Sequence, residues 1–137
     1  MSSAVAFENR LFHSGNVTAA AVTSARSLRL ARLRRDPDVY EIARAVCRLR
    51  KVPLRQLLAS GRGGAKAAAA RQLAMYLAHV LLGRPQEVVG ALFGRDASTV
   101  SYACRVIEDL RDAPPLEKEI ARIEGSVQIA AEARHAA

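Results

Sequence analysis

The sequence predicts an all-α protein, a helical bundle. Apolar residues recur three and four positions apart along every long segment after residue 35, and no segment alternates apolar and polar residues as a strand does. Proline and glycine clusters separate these segments, as helix ends require. Half of the 137 residues are apolar, so the chain can bury a core, and its length suits one domain.

The N-terminal part of the chain is expected to lie outside that domain. Residues 1–16 are small and polar, as in a flexible tail, whereas residues 17–35 are rich in alanine, leucine and arginine. The second stretch suits either a linker helix or a basic arm that orders on contact with a polyanion. We therefore expect a flexible basic N-terminal tail or linker helix at 1–35, a folded domain at 36–127 and a C-terminal tail at 128–137.

The domain is predicted to begin with a helix at Asp36. Asp36 can cap this helix, Pro37 suits its first position, and Asp38 is favourable near the positive end of the helix dipole. A short helix follows from Pro53 to about Ser60. The inward residues of these two helices are expected to be Val39, Ile42, Ala43, Val46, Leu49, Leu54, Leu57 and Leu58. The glycines after Ser60 end the short helix and begin a basic loop that extends through Lys66.

The second half is predicted to contain a central helix and two helices joined by a tight turn. Residues 67–82 are apolar on most of the helix circumference, so neighbours are expected to bury this helix on several sides. Helices at 85–92 and 97–110 flank a turn at 93–96, and a last helix begins at Leu116. The residues expected inward on these helices include Leu73, Leu77, Val80, Val89, Leu92, Val100, Ala103, Cys104, Ile107, Leu110, Ile120 and Ile123.

The charge of the chain favours a polyanionic partner. The formal net charge is +8 and the sequence pI is about 10.5. Between Arg10 and Arg71 there are 14 basic and 3 acidic residues, whereas the rest of the chain after Arg71 has 7 basic and 9 acidic residues. The basic charge is thus concentrated in the first half. A basic tail for solubility or membrane contact would give the same total charge.

Several other classes of function are disfavoured. No run approaches the ~20 apolar residues of a membrane span, and the N-terminus lacks a signal-peptide layout, so we expect a cytoplasmic protein. Two cysteines and three scattered histidines do not suggest a metal site. The loop after Ser60 lacks the spacing of a nucleotide-binding P-loop, and no grouping of side chains argues catalysis. We expect no enzyme activity and no cofactor.

Two motifs carry a specific resemblance. Residues 71–78 read Arg-Gln-Leu-Ala-Met-Tyr-Leu-Ala, and residues 95–100, seventeen positions later, read Arg-Asp-Ala-Ser-Thr-Val. Residues 102–110 continue Tyr-Ala-Cys-Arg-Val-Ile-Glu-Asp-Leu. This order resembles the C-terminal DNA-binding domain of the bacterial replication initiator DnaA, in which a long buried helix opens with Arg-Gln. The second helix of that family's helix-turn-helix begins Arg-Asp-His-Thr-Thr-Val. The resemblance covers roughly residues 39–123.

The helical pattern and the resemblance together predict a DNA-binding surface. On the helix at 97–110, small hydroxyls, one tyrosine and one arginine lie opposite the apolar face, where they suit phosphate oxygens and base edges. The resemblance implies that Arg71 and Gln72 contact backbone phosphate, and that Arg62 or Lys66 enters the minor groove. Arg71 projects away from the apolar face and is expected to be free for this contact. The residues expected at the DNA are Arg62, Lys66, Arg71, Gln72, Arg95, Asp96, Ala97, Ser98, Thr99, Ser101, Tyr102 and Arg105.

Two departures from the family pattern bear on the DNA site. Ala97 stands where the family has a base-contacting histidine, and the turn at Gly94 lacks one of two consecutive glycines. A shortened turn changes how the recognition helix enters the groove. We therefore expect DNA binding without preference for the DnaA box.

The resulting interpretation is a sequence-specific double-stranded DNA-binding protein that regulates transcription by recruiting or blocking a partner, such as RNA polymerase or another regulatory protein. Copies of this domain without the ATPase domain are similar to alphaproteobacterial regulators, including activators of gene transfer agents. Three alternatives stay open. The protein could compete with the initiator at the replication origin, serve as an interaction module that lost DNA binding, or bind the nucleoid without specificity.

Overall fold

The computed structural model describes residues 25, 27–61 and 63–136, and this part of the chain is built from helices without a strand. The helices are α1 (27–34), α2 (Pro37–Arg50), α3 (Leu54–Leu57), α4 (Gly64–Val80), α5 (Gln86–Phe93), α6 (Ala97–Leu110) and α7 (Pro114–Ala136). The predicted all-α fold is confirmed.

Helix α4 forms the centre of the core. It packs against α2, α5 and α6, while α2 also packs against α7. Leu73, Tyr76 and Leu77 on α4 are almost completely buried. Ten of the 17 residues of α4 are buried, so the expectation that neighbours surround this helix on several sides is confirmed.

Helix α2 is fixed at both ends by polar contacts. Asp36 is its N-cap residue, and its Oδ1 accepts a hydrogen bond from the backbone N–H of Val39 at 3.4 Å. The Arg84 guanidinium binds the same carboxylate with two bonds, from Nε to Oδ2 at 2.7 Å and from Nη2 to Oδ1 at 3.0 Å. At the other end, Arg50 forms a two-bond ion pair with Glu119 of α7, with Nε 2.6 Å from Oε2. Asp36 thus joins the start of the domain to the segment before α5.

The segments outside the predicted domain are partly helical. Residues 27–34 form α1, as in the linker-helix alternative, and its Leu33 is completely buried in the core. The remainder of the expected N-terminal tail, residues 1–24 and Arg26, lies outside the described residues. The C-terminal segment expected to be a tail from residue 128 continues α7 up to Ala136. Val127 packs in the core just before this last part of the helix.

Three apolar residues that were expected to face inward are exposed instead. They are Leu49, Val80 and Leu110, and Leu110 is 53% exposed. Each lies at or next to the last residue of its helix. The helical period gives the side of the helix on which these residues lie, but it does not show whether a neighbouring element covers that position.

A polar network connects the central helix to the last two helices. The Tyr76 hydroxyl donates to Glu108 Oε2 at 2.7 Å and accepts from Arg111 Nη1 at 2.9 Å. Arg111 also forms a two-bond ion pair with Glu117 at the start of α7, with Nε 2.6 Å from Oε2. This network holds the C-terminal end of α6 in place.

Among the described helices, none has the length and apolar character needed to cross a bilayer.

Candidate nucleic-acid interface

Helices α5 and α6 form a helix-turn-helix with a three-residue turn. Gly94 ends α5 with φ of +71°, a left-handed conformation that glycine adopts without strain. The backbone N–H of Arg95 donates to the Gly90 carbonyl at 2.8 Å, which closes the turn. Helix α6 then begins at Ala97 and buries Val100, Ala103 and Ile107 on the side that packs against α4 and α5.

The opposite side of α6 presents the predicted polar residues. Ser98, Thr99, Tyr102 and Arg105 are exposed, and Ser101 is half-buried. The Arg105 guanidinium lies 5.9 Å from the centre of the Tyr102 ring, and its Nη1 donates to Ser101 Oγ at 3.3 Å. These contacts hold an exposed arginine against the helix.

Asp96 is the N-cap residue of α6. Its backbone carbonyl accepts from the N–H groups of Thr99 and Val100 at 3.0 and 3.2 Å. Its side chain makes no capping hydrogen bond, so Asp96 caps the helix through its backbone alone.

A groove of about 370 Å³ lies between the N-terminal half of α6, the middle of α4 and the loop after α3. It is lined by Ser60, Gly61, Ala68, Arg71, Gln72, Met75, Arg95, Thr99 and Tyr102. Five of these residues were predicted at the DNA from two separate motifs, and the fold brings them together. The other four, Ser60, Gly61, Ala68 and Met75, were not predicted at the DNA, because only the packing of α3 and α4 places them beside α6.

The expectation that Arg71 is free for phosphate contact is wrong. Its side chain lies in the core and the residue is only 4% exposed. Nε donates to the Leu57 carbonyl at 2.7 Å, and Nη2 donates to the Gln56 carbonyl at 3.1 Å. The helical wheel correctly predicts that Arg71 points away from the face of α4 that carries Leu73. However, α3 packs against the side of α4 to which Arg71 points.

Arg95 is also bound within the protein. Its Nη2 donates to the carbonyls of Ala59 and Gly61, both at 2.9 Å, and its Nη1 donates to the carbonyls of Phe93 and Gly94 at 3.4 and 3.2 Å. The guanidinium therefore bridges the turn of the helix-turn-helix and the loop after α3. It is half-buried at the groove rather than extended into solvent.

The remaining predicted residues occupy three different settings. Lys66 is exposed but lies in the first turn of α4, because the helix begins at Gly64 rather than at residue 67. Gln72 and Ala97 are half-buried at the groove and at the start of α6. Arg62 lies outside the described residues.

The groove carries positive charge that the protein only partly compensates. Burial and then the nearby charge of Arg95 lower the pKa of Arg71 to about 10. Burial and then the charge of Arg29 lower the pKa of Arg95. Within the described part of the chain, Arg29 and Arg95 have no carboxylate at ion-pair distance. An anion in the groove would reduce the repulsion among these guanidinium groups.

The polar residues outside the groove have ordinary structural contacts. Nδ1 of His79 lies 2.8 Å from the Arg84 carbonyl, so this histidine has a polar partner within the fold. Cys47 and Cys104 are unbonded and half-buried. Burial raises the pKa of Cys47 to about 11, so its thiol stays protonated near neutral pH. In the described residues, no group of three or more histidine, cysteine or acidic side chains is arranged to hold a metal ion.

The architecture agrees with a comparison of the sequence with known families. Residues 39–107 match the family described as bacterial dnaA protein helix-turn-helix. This span is half of the chain, and it runs from the first turn of α2 to the buried Ile107 of α6. The chain belongs to the DnaA helix-turn-helix family. The resemblance predicted from the two motifs is confirmed.

The sequence similarity to individual DnaA proteins can extend beyond the span that matches the family. The chain is 43% identical over 105 residues to the chromosomal replication initiator protein DnaA of Sphingopyxis alaskensis, covering 75% of this chain and 22% of that protein. It is 38% identical over 86 residues to DnaA of Acinetobacter baumannii, covering 62% and 18%. A third relative, DnaA 2 of Chlamydia trachomatis, is 39% identical over 71 residues, covering 52% and 15%. The chain thus spans about a fifth of the length of these relatives. No solved structure matches the chain.

Proposed function

We propose that this protein binds double-stranded DNA, with α6 in the major groove as the recognition helix. The observation that carries the proposal is the groove in which α6, α4 and the loop after α3 meet. Its wall holds the hydroxyl of Thr99, the amide of Gln72 and a cluster of positive charge. Membership of the DnaA helix-turn-helix family supports the same binding mode.

The exposed residues of α6 are the proposed readers of the DNA sequence. Ser98 and Thr99 lie in the first turn of α6, which enters a major groove in a helix-turn-helix complex. Tyr102 is 55% exposed and lies one turn further along, beside Arg105. We assign Ser98 and Thr99 to base edges and near phosphates, and Arg105 to the phosphate backbone.

Two residues of α4 are proposed to contact the phosphate backbone of the DNA. Lys66 is exposed in the first turn of α4, and Gln72 lines the groove two turns later. Both suit contacts with phosphate oxygens, which fix the register of the protein without reading sequence. Asp96 and Ala97, at the start of α6, are assigned to the DNA surface as well.

The proposed role is transcription regulation at sites other than the DnaA box. Ala97 offers only a methyl group, so the family's histidine contact with a base is lost. RNA polymerase or a regulatory protein is the proposed partner, and α7 offers an exposed surface that includes Ile129, which is 68% exposed.

Selection of binding sites from random duplex DNA with the purified chain tests specific binding. We expect one recurring motif that is not the DnaA box, bound at least ~10³-fold more tightly than random DNA. Recovery of the DnaA box as the top sequence would contradict the proposed site preference. Equal affinity for all sequences would instead indicate a nucleoid protein that binds DNA without specificity. Absence of DNA binding would indicate an interaction module that lost this function.

A genome-wide occupancy map in the native cells tests the regulatory role. Sharp peaks at a few promoters, each with the selected motif, are expected. A cluster of peaks at the replication origin would favour competition with the initiator instead.

A further inference from the structure

The loop after α3 is held by arginines from three different parts of the chain. Helix α3 has only four residues, and the backbone from Gln56 to Gly61 then leaves the helix, so its carbonyls lack the regular partners that a continued helix would supply. The Gln56 carbonyl also accepts from the Ala59 N–H at 3.3 Å. Three arginine side chains fill this need. Arg71 of α4 binds the carbonyls of residues 56 and 57, Arg29 of α1 binds that of residue 58, and Arg95 of the turn binds those of residues 59 and 61.

The lengths of these bonds indicate well-formed contacts. The five nitrogen-to-oxygen distances lie between 2.7 and 3.1 Å. Each arginine binds the loop from a separate element, so the position of the loop depends on α1, on α4 and on the turn before α6 at the same time. We call Arg29, Arg71 and Arg95 the arginine clamp.

Guanidinium groups suit this task better than ammonium groups. A guanidinium has five N–H donors in a rigid plane and can bind carbonyls on two sides, whereas an ammonium is a single compact charge. Carbonyls at the end of a helix also carry partial negative charge. Arg95 uses both sides, because Nη1 binds the turn and Nη2 binds the loop.

Arg29 also contacts the turn of the helix-turn-helix. A Cβ atom on Gly94 would lie 3.0 Å from Arg29 Nε, so the glycine leaves room for this side chain to cross the turn. One helical turn along α1, Arg32 Nη1 donates to the Ala91 carbonyl in the last turn of α5 at 3.1 Å. The buried Leu33 anchors α1 beside both contacts. Helix α1 therefore braces the loop and the helix-turn-helix together.

We propose that the arginine clamp determines DNA specificity by fixing the loop at residues 56–61 relative to the recognition helix α6. The three arginines are positioning residues, and they act on DNA through the loop rather than by direct contact with phosphate. This inference rests on the proposed DNA binding. Without the clamp, the loop at residues 56–61 can move away from the groove. The loop and α6 then no longer contact the same DNA site at the same time, and the preference for that site is reduced.

The substitution Arg95→Lys tests this inference, with Arg29→Lys as a second variant further from the groove. Both keep the charge. Lysine cannot bind the carbonyls on both sides of Arg95, and in place of Arg29 it lacks the planar guanidinium that crosses the turn at Gly94 and binds the Leu58 carbonyl. Hydrogen exchange of the free proteins is measured first. We expect exchange in residues 56–61 to be at least about tenfold faster than in the native chain, as loss of one or two hydrogen bonds predicts. Unchanged exchange in both variants overturns the clamp, whether or not the protein binds DNA.

Affinity for DNA is measured next, on the selected site and on random duplex, over a range of salt concentrations. We expect both variants to lose about tenfold in affinity for the selected site and little for random DNA, with an unchanged salt slope. Arg122→Lys on α7 is the matched control, because this arginine is exposed, lies outside the proposed DNA surface and makes no contact with the loop carbonyls in the described structure.

Direct contact of Arg95 with DNA phosphate would give a different pattern of affinities. If Arg95→Lys binds both DNAs as the native chain does, while Arg95→Gln weakens both equally and reduces the salt slope by about one, Arg95 is a phosphate contact. That result overturns the positioning role. Faster exchange without any change in the ratio of specific to random affinity also overturns it. A native chain that binds no DNA would overturn the proposed function and leave the exchange result to decide the clamp.

Discussion

Gly90 of α5 lies against the carbonyl of Arg95 in the turn that follows. A Cβ atom built on Gly90 would be 2.4 Å from that carbonyl oxygen, far inside normal contact, and the Arg95 N–H donates to the Gly90 carbonyl. Only glycine permits this approach without movement of the backbone. The residue therefore fixes how tightly the chain turns from α5 into α6.

Replacement of Gly90 by alanine is expected to displace the turn. Because the Cβ meets backbone rather than a flexible side chain, we expect a loss of about 1–3 kcal/mol in the free energy of unfolding, together with weaker DNA binding. Denaturant unfolding measures the first effect. Gly125→Ala in α7 is the control, since nothing lies within 4 Å of its Cβ, and it is expected to stabilise the protein by about 0.5–1 kcal/mol. Similar effects of the two substitutions would contradict the close contact.

Removal of Arg105 is expected to weaken DNA binding without affecting the fold. This side chain is exposed on the recognition helix and stacks on Tyr102. Arg105→Ala should lower affinity for all sequences to a similar extent and reduce the slope of log affinity against log salt by about one. Arg122→Ala on α7, another exposed arginine, is the matched control and should leave the slope unchanged. An unchanged slope for Arg105→Ala would remove this residue from the phosphate contacts.

A charge at the centre of α4 is expected to unfold the domain. Leu77 is 1% exposed, so Leu77→Asp places an unpaired carboxylate in the core, and the cost should exceed about 4 kcal/mol. That loss is comparable to the whole stability of a small domain. Circular dichroism during thermal unfolding measures it. Ile129→Asp on the exposed side of α7 should change stability by less than about 0.5 kcal/mol.

The ion pair between Asp36 and Arg84 makes stability depend on pH. The hydrogen bonds from Arg84 lower the pKa of Asp36 below its ordinary value of 3.8. The unfolded chain thus takes up its proton first, so the stability from this pair is complete above about pH 4 and is lost as the pH falls through the folded-state pKa. Asp36→Asn should cost about 1 kcal/mol near neutral pH. Urea unfolding should show this difference shrinking below about pH 4. A difference that stays constant with pH would contradict the role of the charge.

Local sequence patterns were sufficient for the helices and for the exposed face of α6. The apolar period located α4, and the family motif located the turn, because both are short-range features of the chain. The start of α4 was placed too late because glycine usually ends a helix. Here Gly63 adopts φ of +76° as the N-cap and Gly64 begins the helix.

The roles of the arginines could not be predicted in the same way. A helical wheel gives the direction in which Arg71 points but not which element lies there. The loop carbonyls bound by Arg95 and Arg29 are 29 to 36 positions away in the chain. An arginine that binds backbone carbonyls and an arginine that is free to bind phosphate can occupy the same place in a sequence motif. Only the packing of α3 against α4 shows which of the two roles Arg71 has.

The contact between Arg134 and Asp38 brings the last turn of α7 to the first turn of α2. At the opposite end of α2, Arg50 pairs with Glu119 near the start of α7. Ionic contacts therefore join α2 and α7 at both of their ends, so the two helices run antiparallel and neither can tilt away from the other without breaking one of these pairs. The long C-terminal helix is in this way tied back to the first helix of the predicted domain, although 96 positions separate Asp38 from Arg134 in the chain.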